Sequence, residues 1–354
     1  MESIQTRIWQ LNPESPDPEI ISRAAEIIKN GGLVAFPTET VYGLGANGLD
    51  GEAVAGIYRA KGRPSDNPLI LHVADQEMAK QLSPNLPPEA LPLMEQFWPG
   101  PLTLVVPKSK EIPQQVTGGL ATVAIRMPDH PVALALIKAA GLPIAAPSAN
   151  RSGRPSPTTA AHVQADLEGR VHAILDGGPA DLGVESTVLD ITGDVPVILR
   201  PGGVTYEQLA GVLKNVTLDP SVLGEKLPQG QVPRSPGMKY IHYAPTAPVI
   251  LFEGEPEKVR QALSRRAQEL AAANKKIGIL STEENAAGYA DRAKVLTLGQ
   301  RKTPSNAAAL LFSRLREFDQ LKVDVILAEG IETQGIGLAV MNRLRRAAAE
   351  IVRA

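Results

Sequence analysis

Cysteine is absent from all 354 residues. That excludes a disulfide framework, a thiolate zinc site and a cysteine nucleophile together, and it agrees with a reducing compartment. Aromatic residues make up only 4% of the chain, a scarcity that argues mildly against nucleic-acid binding as the primary role. Neither sign of charge dominates, since the formal net charge is −2, so nothing draws the whole molecule to nucleic acid or anionic lipid and any positive potential must be local. No segment reaches the roughly 18 consecutive apolar residues that a membrane span needs. The opening MESIQTRIWQLNPESPDPE lacks the basic-then-apolar order of a signal peptide. No membrane association is expected, and the expected location is the cytoplasm. A P-loop, a nucleophile elbow and an internal repeat are missing too, and no histidine and carboxylate cluster has metal-ligand spacing.

What is present is ordinary globular composition, 43% hydrophobic and 21% charged, over a length that suggests about two domains. Asp17 and Pro18 form a cap and first-turn pair, Ile20, Ala24, Ile27 and Ile28 keep helical spacing, and Gly31-Gly32 closes the helix. Strands are predicted at Leu33–Phe36, Leu69–Val73, Leu102–Val106, Thr122–Met127, Ile144–Ala146, His172–Leu175, Ser186–Ile191 and Val195–Leu199. Helices are predicted near 51–60, 88–97, 130–140 and 158–168. Together these make a mixed α/β domain over 1–214. Residues 215–247 carry five prolines and few apolar runs, the composition of a connector or a functional lid. From 248 to 354 strands alternate with helices: Val249–Phe252, a helix over 256–273, Lys276–Leu280, Lys294–Leu298, a helix over 304–318, Val323–Ala328 and a helix over 337–352. That order implies a parallel sheet of Rossmann-like type.

The most informative stretch is LVAFPTETVYGLGANGLDGEAVAGIYRAKGRPSDNPLILHV at 33–73. It places hydroxyls, small residues and a Lys-x-Arg pair on connections between apolar strands, where polar groups face a ligand. Gly43-Leu44-Gly45-Ala46-Asn47-Gly48 has the form G-x-G-x-x-G, yet Pro37–Tyr42 separate it from the preceding strand. It therefore reads as a glycine-rich turn and not as a dinucleotide fingerprint. Lys61-Gly62-Arg63-Pro64 suggests an extended segment with both cations on one side, able to hold different oxygens of a polyphosphate or carboxylate; a solvated surface turn is the plainer reading. Arg126 sits on an apolar strand, where it needs an anionic ligand or a structural carboxylate. Ala146–Gly153, Glu185-Ser186-Thr187 and Arg200–Gly203 again end strands in small hydroxyl and amide residues. Ser148, with no elbow and no histidine near it in sequence, reads as a binding group.

In this order FPTETVYGLG (36–45), KGRPSDNPLILHV (61–73), TVAIRMP (122–128), APSANRSG (146–153), ESTVLD (185–190), LRPG (199–202) and SPGMKYIHYAP (235–245) resemble the threonylcarbamoyl-AMP synthase family in its long form. The resemblance covers essentially the whole chain, with no departure in these blocks. It implies a YrdC-type twisted mixed sheet with helices around a concave basic cavity, plus a smaller Rossmann-like α/β second domain. It also implies condensation of L-threonine, bicarbonate or CO2 and ATP to threonylcarbamoyl-AMP and pyrophosphate, with Mg2+ arriving on ATP. A downstream threonylcarbamoyl-transferase complex would pass the group to the adenosine beside the anticodon of tRNA, and a direct tRNA contact is left open. By the same resemblance Lys61 and Arg63 would be catalytic. Arg63, Asn67, Thr122, Ser148, Ser156, Arg200 and Tyr240 would bind ATP, with Tyr240 on a lid. Thr40, His72, Arg126, Ala146 and Ser186 would bind L-threonine.

Two other readings stay open on sequence alone. One is a carbamoyl-adenylate or carbamoyl-transfer enzyme, although the zinc segments such proteins carry need cysteines. The other is a double-stranded RNA or tRNA binder, which net charge and scarce aromatics disfavour. The run Glu329–Gly335 after the last predicted strand has no phosphate fingerprint, so the second domain's role is not readable here.

Overall fold

The computed structural model describes residues 4–224, 233–235 and 242–354. Its chain divides into one unit of Met1–Ser152 with Ser156–Lys239 and a second of Gly153–Pro155 with Tyr240–Ala354.

In the first unit the strands are β1 (Arg7–Gln10), β2 (Val34–Phe36), β3 (Gly43–Asn47), β4 (Ile70–His72), β5 (Leu102–Pro107), β6 (Thr122–Arg126), β7 (Ile144–Ala145), β8 (Ala173–Asp176), β9 (Thr187–Asp190), β10 (Val197–Arg200) and β11 (Thr217–Leu218). They form one mixed sheet in the order β1-β8-β2-β3-β7-β4-β6-β5-β9-β10-β11. Apolar residues on both faces bury against helices. Helix Pro18–Lys29, begun as expected by Asp17 accepting from Glu19 N and Ile20 N, packs with helix Pro131–Ala140 over Val34, Phe36 and Leu175. Helix Gly51–Lys61 lies in the larger core with Leu44, Leu71, Leu104 and Ile125.

Gly43–Asn47, read from sequence as a turn, is a strand antiparallel to β2, with Ala35 opposite Leu44 and Phe36 opposite Gly43. Its glycines answer a packing demand. A Cβ on Gly45 would come within 2.9 Å of the Phe36 ring and 2.8 Å of Ile144, so a side chain there would collide with the core. Sequence reading also missed β1 and helix Gln76–Leu82.

In the second unit β12 (Val249–Glu253), β13 (Ile277–Ser281), β14 (Lys294–Thr297), β15 (Val325–Glu329) and β16 (Ala348–Arg353) form a five-stranded sheet ordered β14-β13-β15-β12-β16. Every pairing is parallel, as the strand-helix alternation predicts. The last helix stops at Ala347, short of the predicted 352. The chain passes directly into β16, where Ile351 and Val352 pair with Leu251 and Phe252. An open strand edge and β-branched side chains override the helical spacing there.

Candidate active site

Helix Gly51–Lys61 delivers the first cation. Asp50 caps its start by accepting from Glu52 N and Ala53 N, and Gly62 ends it in the left-handed conformation at φ 62°. The Lys61-Gly62-Arg63 segment is thus a helix end and not the extended strip that sequence suggested, because a glycine followed by Arg63-Pro64 favours a C-cap. Lys61 is 4% exposed. Its Nζ donates to Ser148 O and Asn150 O, each at 2.5 Å, and to Asn150 Oδ1 at 3.3 Å. Ser148 Oγ in turn donates to Asn150 Oδ1 at 2.5 Å. One ammonium therefore organises the loop that follows β7, and Gly43 bridges Ser148 from β3.

Beyond the helix Arg63 Nη2 donates to Asn67 O and Pro68 O at 3.3 and 3.2 Å. Tyr58 Oη also donates to Asn67 O, at 3.1 Å, which closes the turn around Asn67. The Asn67 side chain is 1% exposed, yet its Oδ1 and Nδ2 have no hydrogen-bond partner among the described residues. A buried amide without partners costs free energy unless a ligand completes it. Thr122 opens β6, which runs parallel to β4 with Ile70 opposite Ala124 and His72 opposite Arg126. Asn67 and Thr122 thus belong to the starts of these strands, His72 and Arg126 to their ends.

At those ends Arg126 is 4% exposed. It donates through Nε to Gly100 O at 3.2 Å and through Nη1 to Thr40 Oγ1 at 3.0 Å. Its Nη2 lies 2.6 Å from Glu39 Oε1, close enough for strong charge pairing but out of line for a directed hydrogen bond. The carboxylate that an arginine on an apolar strand demands is therefore Glu39, which sequence reasoning missed. The misfit of Arg126 signalled that such a partner exists without saying which acid it is. Beside it His72 is held neutral with a pKa pushed down to about 3, first by burial and then by the Arg126 charge. Glu39 has its own effect on Asp129, whose carboxyl is raised by burial first and by the Glu39 charge second.

Ser186, just before β9, accepts Arg200 Nε and Nη2 on its backbone oxygen at 3.1 and 3.0 Å. Its Oγ meets Arg200 Nη2 at 3.1 Å and Thr103 Oγ1 at 2.8 Å. Arg200 is thereby joined to Ser186. Ala146 N donates to Ile70 O at 2.9 Å, which sets the end of β7 against β4. Ser156 Oγ donates to Glu185 Oε1 at 2.6 Å; Glu185 and Asn150 fall in segments that the sequence marked without giving these two a role, and Thr103 was not singled out at all. Tyr240 lies outside the described residues.

The first unit thus offers cations, hydroxyls and incompletely bonded polar atoms at both ends of one parallel strand pair, a set suited to an anionic nucleotide and an amino acid together. Comparisons with known proteins point the same way. Residues 26–202 match the family described as Telomere recombination, and residues 204–349 match the one described as Threonylcarbamoyl-AMP synthase, C-terminal domain. The chain is 52% identical over 334 residues to the threonylcarbamoyl-AMP synthase of Bacillus subtilis, covering 94% of this chain and 93% of that protein. It is 51% identical to the protein of that name from Pyrococcus abyssi, covering 92% of each. Its structure resembles the crystal structure of P. abyssi Sua5 complexed with L-threonine, with a TM-score of 0.92, 48% identity and coverage of 98% and 99%.

Proposed function

The chain belongs to the threonylcarbamoyl-AMP synthase family, in the form with a second domain, and from that premise we propose the roles of its residues in joining L-threonine, bicarbonate or CO2 and ATP to give threonylcarbamoyl-AMP and pyrophosphate. The reading rests on one observation above the rest. A buried guanidinium, Arg126, ends the strand that Thr122 begins, four residue steps or about 13 Å away, and the buried Lys61 and Asn67, with the half-buried Arg63, belong to the segment leading into the paired strand.

Threonine would take the Arg126 end. Its carboxylate meets the guanidinium, and Thr40, His72, Ala146 and Ser186 line the remainder. A neutral His72 adds hydrogen-bonding capacity without competing charge. ATP would take the other groups: Arg63, Asn67, Thr122, Ser148, Ser156 and Arg200, with Tyr240 on a lid. The amine becomes a carbamate, a carbamate oxygen attacks the α-phosphorus, and pyrophosphate leaves. Lys61 and Arg63 stabilise the charge that builds on the phosphates, so positioning and electrostatics supply most of the rate. Magnesium belongs with the triphosphate in this scheme. Among the described residues no three acids or histidines are grouped to hold a metal, and the groups nearest the proposed phosphates are cations, so phosphate oxygens and water would bind the ion. We assign catalysis to 1–214, a connector and lid to 215–247 and the Rossmann-like domain to 248–354. The product would pass to a threonylcarbamoyl-transferase acting on tRNA in the cytoplasm.

The test is to incubate the protein with ATP, magnesium and bicarbonate, with and without L-threonine, and to follow AMP, pyrophosphate and the adenylate by mass spectrometry. Threonine- and bicarbonate-dependent adenylate is expected. A requirement for carbamoyl phosphate in place of threonine would transfer the assignment to carbamoyl transfer. Arg63→Ala should lower turnover by roughly a hundredfold, and an unchanged rate would remove Arg63 from the charge-stabilising role.

A further inference from the structure

The Arg126 end of the site contains a carboxylate short of donors. Glu39 is 7% exposed, and its backbone is fixed by Leu182 N donating to Glu39 O at 2.8 Å. Neither side-chain oxygen accepts a directed hydrogen bond among the described residues, even though Oε1 lies 2.6 Å from Arg126 Nη2. Arg126 Nη2 is in the same condition, while the Nε and Nη1 of that guanidinium are committed to Gly100 O and Thr40 Oγ1. A purely structural ion pair would be expected to close these valences on itself, because a buried carboxylate needs donors and a buried guanidinium needs acceptors. Here each partner keeps capacity of its own sign, side by side. That is the complement of a group carrying a carboxylate and an ammonium on one carbon.

We infer that Glu39 receives the amino group of the amino-acid substrate, beside the Arg126 that takes its carboxylate. The inference rests on the threonine-site reading above and deepens it. It explains why an acid sits where a substrate carboxylate must also dock: without Glu39 the pocket would present a bare cation, equally suited to any carboxylate. With it, the pocket is matched to a zwitterion and discriminates against acids that lack nitrogen. It also fixes the nitrogen that must become a carbamate, so the substrate is held by the atom that reacts as well as by its carboxylate.

The experiment is calorimetric binding to the full chain, without ATP, of L-threonine and of (2S,3R)-2,3-dihydroxybutanoate, which keeps the carboxylate and side chain but replaces the amine by hydroxyl. The unsubstituted chain should bind threonine at least about tenfold more tightly, as expected for a hydrogen bond to a charged group. Glu39→Gln should weaken threonine by a similar factor and the hydroxy acid by less than about threefold, and Glu39→Asp should restore part of the preference. Equal affinity of the unsubstituted chain for the two ligands would overturn the inference without any variant. Equal weakening of both ligands in a Glu39→Gln protein with native circular dichroism would overturn it too, since that marks a residue that only props Arg126. Binding of neither ligand would instead sink the threonine-site reading, and this inference with it.

Discussion

His72 shows how far one buried residue can be driven by its surroundings. Burial and then Arg126 lower its pKa from 6.5 to about 3, so below pH 6.5 the unfolded chain holds a proton that the folded chain refuses. The stability tied to neutral His72 is complete above 6.5 and falls as pH drops toward 3, by about 1.4 kcal/mol per pH unit. Between pH 7.5 and 5.0 the native chain should therefore lose about 2 kcal/mol more than His72→Gln, read as the shift in urea midpoint at each pH. Identical shifts would mean that His72 titrates normally. At this scale the sequence was only partly legible. An arginine among Thr122, Val123, Ala124 and Ile125 announces that an anion must approach it, because the alternative is an unpaired buried charge. Glu39 announces nothing, since an acid between two threonines after Pro37 looks like any solvated loop until the fold brings it to Arg126, 87 residues further along the chain.

Elements follow local preference where packing agrees with it, and depart where packing or an open edge decides. The helix before Lys61 was legible near 51–60, but its end was not, because Gly62 ahead of Arg63-Pro64 read as extended backbone and not as the cap it is. The two glycines of β3 were misread because a strand that needs glycine under an aromatic ring looks, in sequence, like a turn that needs it for backbone freedom. The two uses should separate on substitution. Gly45→Ala forces a Cβ against Phe36 and Ile144 and should cost about 2 kcal/mol by overpacking. At Gly62 a Cβ meets nothing within 4 Å, so Gly62→Ala carries only the left-handed penalty, about 1 kcal/mol. Its larger effect should fall on kcat/KM, because the turn sets where Lys61 and Arg63 leave the helix. Denaturant unfolding gives the first pair of values and steady-state kinetics the second. Full activity in a destabilised Gly62→Ala chain would detach the turn's geometry from catalysis.

For the whole molecule, the two-part plan was legible in the change from irregular mixed spacing to strand-helix alternation. The anchoring of the chain between the parts was not, because it depends on contacts distant in sequence. On the first unit's side Arg234 pairs with Asp190 and Asp219 at 2.9 and 3.0 Å; with its side chain 43% exposed, that fixing contributes little stability. Within the second unit Tyr243 is buried, with its ring 5.2 Å from Phe312 and the Arg343 guanidinium 5.7 Å from its centre. The Gly153–Pro155 segment joins the same unit through Ala244 N to Gly153 O at 2.9 Å and Arg316 Nη2 to Pro155 O at 2.6 Å. Tyr243 holds this position at φ 67°, a backbone region unfavourable to a residue with a Cβ, so its aromatic and cation-π contacts must outweigh that strain. Removing the ring should cost about 3 kcal/mol. The usual order of the two smallest replacements should also matter here: Tyr243→Gly, freed of the left-handed penalty, should be about 1 kcal/mol more stable than Tyr243→Ala. Urea unfolding of the two variants decides it. An alanine chain at least as stable as the glycine chain would show that the backbone relaxes once the ring is gone, and that the ring holds the turn in its left-handed state.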